Sequence, residues 1–74
     1  MEGIITMPKY YVNKNEQSNG DHEVHKESCE YLPEEKNRIS LGEFENCKEA
    51  IRRARMFYEQ VNGYVYCSKE WHTK

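Results

Sequence analysis

Two pairs of residues in this chain have the types and the spacing to hold a metal ion: His25 with Cys29, as HxxxC, and Cys67 with His72, as CxxxxH. Neutral imidazole and thiolate are preferred donors for tetrahedral zinc, and two Cys with two His make a closed structural site that leaves no position open for a substrate. A local turn lets each pair reach around one ion, so His25, Cys29, Cys67 and His72 form a candidate zinc site. The order of ligands is not that of the usual finger, and there is no short CxxC knuckle. A competing reading makes Cys29 and Cys67 small buried apolar residues and leaves the histidines on the surface. Cys47 falls on the apolar stripe of a helix and belongs to the core rather than to the ligand set.

Other chemistry finds less support. Strand alternation puts Glu23 and His25 on one sheet face and His22 with Val24 on the other, so Glu23 either orients His25 or is simply solvated. A nucleophilic cysteine needs a base at close range and an oxyanion site, and no local signature marks Cys29 or Cys67 as activated; an enzyme is not expected. Lys48, Arg52, Arg53 and Arg55 cluster on the outer helix face. Glu49 and Glu59 stand four residues from Arg53 and Arg55, the spacing of surface ion pairs worth about 0.2 to 0.5 kcal/mol each. Tyr64 and Tyr66 share a strand face that could stack bases, but without a basic groove they read as core aromatics.

These residues need a scaffold, and 74 residues supply one small domain. At that size the core alone stabilises a fold marginally, so a metal, a disulfide or a partner subunit has a physical role. Hydrophobic residues make up 36% of the chain and charged residues 32%, yet aromatics reach 12%, enough to argue for a packed interior. A formal net charge of -2 spread over both signs gives no footprint for wrapping nucleic acid or coating an anionic membrane. No apolar run approaches the roughly 18 residues of a membrane span, and Met1 to Met7 lacks the basic start and apolar stretch of a secretory signal. Three cysteines are an odd number for an extracellular disulfide framework, so reduced thiols in the cytoplasm are expected.

The elements that position the candidate ligands can be read in order. Residues 1–8 form a loose extension ended by Pro8, and residues 9–74 form the domain. KYYVNK, from Lys9 to Lys14, is rich in strand formers; the polar stretch to Asn19-Gly20 is a turn, and DHEVHK runs back as the second strand. Pro33 and the charges around it mark a loop, Arg38 to Leu41 alternates as a short strand, and Gly42 closes it. Asn46 caps a helix with Glu49 three residues on, and Gly63 lies past its end, giving a span of Cys47 to Val61. Cys47, Ala50, Ile51, Ala54, Phe57, Tyr58 and Val61 form its apolar stripe. Tyr64 to Cys67 returns as a strand, and SKEWHTK is a turn or tail. The expected fold is α+β: a small antiparallel sheet of three or four strands with one helix across a face.

From Lys9 to the C-terminus the chain resembles a family of small uncharacterised bacterial proteins that share KYYVNKN, GDHEVHKExC, LGxF, CKEA and a closing YCSKExHT. A looser similarity links it to the metal-binding module of Ada-type DNA-repair regulators, where a strand, a cysteine, a helix and a late cysteine cluster surround zinc. That resemblance implies Cys29 and Cys67 as ligands, with His25 in place of a thiol. Members of the bacterial family often carry Cys before the terminal His, where this chain has Trp71, so the chain either recruits His72, binds metal weakly or has lost the site. The leading expectation is therefore a structural zinc site in a domain without catalysis. A metal-free module for a protein partner is the alternative from another class, and nucleic-acid binding, suggested by the Ada likeness, is the third.

Overall fold

The computed structural model of the chain describes residues 7–63. Its elements are β1 (Lys9–Asn13), β2 (His22–Lys26), a single 3-10 turn at Glu35–Asn37, β3 (Arg38–Glu43), α1 (Cys47–Ala54) and β4 (Val61–Gly63). One helix on a four-stranded sheet of order β3-β1-β2-β4 is the α+β architecture that the sequence predicts. Residues 1–6 of the expected extension, the expected strand Tyr64 to Cys67 and the terminal SKEWHTK lie outside the described residues.

Strands β1 and β2 pair antiparallel, with Tyr11 opposite His25 and Val12 opposite Val24. Gly20, at φ 94, lets the connecting loop turn back. The loop is closed by hydrogen bonds from the Gly20 amide to the Gln17 carbonyl (2.8 Å) and from the Gln17 amide to the Asp21 carbonyl (2.8 Å). On the other side of β1, strand β3 also runs antiparallel, with Ser40 opposite Tyr11 and Gly42 opposite Tyr10. Leu41 is the extra residue of a β-bulge between those two pairs. The sequence reading ends this strand at Leu41. In the structure it continues to Glu43, because Gly42 adopts φ 106, and a residue without Cβ carries the chain through the bulge rather than stopping it.

The helix begins where the sequence places it. Asn46 is extended, and its side-chain oxygen accepts the Glu49 amide at 3.1 Å. It ends earlier than Val61. After Ala54 the backbone tightens, with Met56 donating to the Arg53 carbonyl at 3.0 Å and Phe57 to the Ala54 carbonyl at 2.9 Å, both three-residue spacings. The cause is β4: Val61 pairs with His22, so the chain must leave the helix and return to the sheet within the intervening residues. Tyr58 guides that return by stacking on the His22 ring at 3.6 Å between centroids and 5° between planes. Phe57, assigned from sequence to the buried stripe, is 44% exposed as a consequence.

One further difference concerns direction. Strand β4 runs parallel to β2, so the sheet is mixed rather than wholly antiparallel. The helix supplies the crossover that a parallel neighbour requires. Between helix and sheet lies the core of Tyr10, Val12, Val24, Leu41, Cys47, Ala50, Ile51 and Ala54, with Ile39, Phe44, Tyr58 and Val61 packed against it. Burying aliphatic side chains the size of Val12, Val24 and Leu41 contributes about 1.5 to 3 kcal/mol each.

Candidate metal centre

The strand register decides which face carries each histidine. Tyr10, Val12 and Val24 point into the core under the helix, and His22 shares their face because it is two residues from Val24. Tyr11 and His25 are directly opposite one another on the other face. His22 and His25 are therefore separated by the sheet and do not serve one ion. His22 is occupied structurally, with Nδ1 2.9 Å from the Asn13 carbonyl oxygen, Tyr58 stacked on its ring and Glu16 3.9 Å from Nε2. Because a carbonyl only accepts, Nδ1 of His22 carries the proton in that contact.

His25 is 2% exposed, so it is not the surface histidine of the competing reading. Burial disfavours its cationic form and lowers its pKa to about 4, which leaves a neutral imidazole with a lone pair near neutral pH. A neutral imidazole is the form that binds metal. Beyond Lys26 the strand gives way to a turn in which the Cys29 amide donates to the Lys26 carbonyl at 3.0 Å and the Leu32 amide to the Cys29 carbonyl at 3.1 Å. This folding back brings Cys29 Sγ to 3.7 Å from His25 Nδ1. The Tyr31 amide donates to the same sulfur at 3.3 Å.

Cys29 itself is half-buried and disulfide-bonded, which corrects the expectation of reduced thiols: an odd number of cysteines rules out pairing all of them, not a single bridge. A disulfide sulfur lacks the charge of a thiolate, so Cys29 becomes a zinc donor only in the reduced chain. Cys47 is not disulfide-bonded and is buried in the core at the first turn of the helix. Cys67 and His72, the other half of the expected set, lie outside the described residues. Among the described residues, no group of three or more His, Cys, Asp or Glu side chains could hold a metal ion. The structure thus brings together His25 and Cys29 and places Cys47 apart from them.

Two contributors were not legible from residue types. The Tyr31 donor is a backbone amide and has no sequence signature beyond the turn. Arg38 lies with its guanidinium 4.5 Å over the Tyr11 ring, on the same face as His25, and donates to the Pro33 carbonyl at 2.8 Å, tying the loop after Cys29 to the sheet. The basic residues Lys48, Arg52, Arg53 and Arg55 are exposed, and Arg53 is partly engaged with Met56 Sδ at 3.3 Å. Among the described residues no helix is long and apolar enough to cross a membrane. No protein-family model, curated protein or solved structure matches this chain.

Proposed function

We propose that the reduced chain is a small non-catalytic domain stapled by one structural zinc ion, with His25, Cys29, Cys67 and His72 as ligands. The observation that carries the reading is the contact of Cys29 Sγ with His25 Nδ1 at 3.7 Å. Zinc bonds of about 2.3 Å to sulfur and about 2.0 to 2.1 Å to nitrogen, opened to a tetrahedral angle, set their two donor atoms about 3.6 Å apart. The spacing of this pair fits once the disulfide is reduced and Nδ1 carries the lone pair. A buried neutral imidazole and an amide directed at the sulfur supply the electronic half of the fit.

The second pair of ligands comes from the sequence alone: Cys67 and His72, spaced as CxxxxH, are the residues that would complete a four-ligand set. The metal would add folding energy to a core too small to be secure alone, and it would supply no reaction. The looser likeness to the Ada-type module, in which cysteines surround zinc, suggests the same chemistry; the likeness to small bacterial proteins brings no activity with it.

Metal content of protein purified under reducing conditions without added zinc tests this reading. Stoichiometric zinc that is lost together with thermal stability on chelation supports it. A folded, chelator-indifferent protein without metal rejects it and leaves the alternative, a metal-free module for a protein partner.

A further inference from the structure

Two partners compete for the Cys29 sulfur. It is disulfide-bonded, and in the same structure it lies 3.7 Å from His25 Nδ1, a donor separation suited to one zinc ion. Zinc takes a thiolate, and a disulfide sulfur carries no such charge. Oxidation of Cys29 therefore removes a zinc ligand without moving the imidazole that stands beside it.

The position of Cys29 lets this exchange take place without unfolding the domain. The residue lies beyond the end of β2, in a turn that belongs to no strand or helix. It is half-buried, and its neighbours Ser28, Glu30 and Tyr31 are exposed, so the turn is open to small solutes. With the bridge in place, β2 holds its register against β1 as far as Lys26, which faces Tyr10, and pairs with β4 through His22. Cys47 differs in both respects: it is 1% exposed and belongs to the core between helix and sheet, which shields it from an oxidant.

We infer that the zinc staple and the disulfide are alternative states of one site, so that a peroxide expels the metal from the folded domain and a reductant readmits it. This rests on the zinc reading above and adds its regulation. The Cys29 thiolate attacks one oxygen of hydrogen peroxide, the O–O bond breaks, hydroxide leaves and Cys29 becomes a sulfenic acid. The second thiolate of the ligand set, Cys67, attacks that sulfur; the S–S bond forms as the S–O bond breaks and a second hydroxide leaves. The two sulfurs have lost two electrons, the peroxide has gained them, and two protons turn the hydroxides into water. Zinc leaves as the hydrated dication with its oxidation state unchanged, since only the two imidazoles of the ligand set remain. The bridge then links the two segments that the metal linked, and so continues to constrain the unfolded chain.

The test uses the intact wild-type chain, reduced, loaded with zinc and freed of excess metal and reductant. Hydrogen peroxide is added in steps beside a colorimetric zinc indicator, and circular dichroism and non-reducing peptide mapping follow the same samples. The expected result is loss of the bound zinc in step with a disulfide joining Cys29 to Cys67, an unchanged spectrum, and recovery of zinc binding after reduction. Cys47→Ala is expected to release zinc as the wild type does. Zinc retained after Cys29 is bridged, zinc released only as the helical signal collapses, or release with Cys29 found as a sulfinic acid or joined to Cys47 would each overturn the inference and leave the zinc reading in place. A reduced chain that takes up no zinc overturns both, and that outcome is read before any peroxide is added.

Discussion

The sulfur of Cys29 and the Nδ1 atom of His25 face one another at 3.7 Å across the turn that ends β2. Local chain geometry creates this relationship: a strand fixes the imidazole on the face away from the helix, and a hydrogen-bonded turn returns the cysteine to it. Such a pair is half of a tetrahedral site, and its chemistry depends on the redox state of the sulfur and on what joins it. The consequences for stability and reactivity can each be measured.

Burial of His25 makes the metal-free fold sensitive to acid. Its pKa is lowered by burial from 6.5 to about 4, so between those values the unfolded chain binds a proton that the folded chain refuses. The contribution is complete above about pH 6.5 and declines as pH falls toward about 4, by at most about 3 kcal/mol. Urea midpoints of the metal-free protein at both ends of that window, compared with His25→Gln, check it. The wild type should lose more stability than the variant; an equal loss would show that His25 is not responsible.

Reactivity should separate two cysteines. Cys29 is half-buried beside an amide donor, whereas Cys47 is 1% exposed within the core. After reduction, a thiol reagent is expected to label Cys29 well before Cys47, and bound zinc should protect Cys29 while leaving the slow labelling of Cys47 unchanged. Early labelling of Cys47 would place it outside the core assigned to it.

The cap on the helix is a separable contribution. Asn46→Ala removes the acceptor of the Glu49 amide and should cost about 1 kcal/mol, with a lower urea midpoint and an unchanged slope. A loss under a few tenths would mean that water replaces the cap at no cost.

Gly42 carries the bulge of β3. A Cβ there would meet only ordinary contacts, the nearest being a Phe44 ring atom at 3.7 Å, so the expected cost of Gly42→Ala comes from backbone strain at φ 106. That strain is about 1 to 2 kcal/mol, read as a lower denaturation midpoint. A neutral substitution would show that the bulge relaxes.

How much of this was legible follows from which interactions are local. The hairpin declared itself through strand formers on both sides of Asn19-Gly20, and the helix start through Asn46 and Glu49, since caps and turns are written in neighbouring residues. The end of the helix was not, because Phe57, Tyr58 and Val61 fit a helical stripe equally well while the pairing of Val61 with His22 is a long-range event. The parallel direction of β4 escaped for the same reason. His25 and Cys29 were legible as a pair because four residues of turn suffice to join them. The burial of His25 was not, since it depends on what packs over that sheet face.

Whether zinc staples the chain is read directly from the metal content of the intact protein, purified under reducing conditions without added metal. The expected result is about one zinc per chain, reduced in both Cys29→Ser and His25→Ala and retained in Cys47→Ala. Wild-type protein that is folded, metal-free and unaffected by chelator would contradict it.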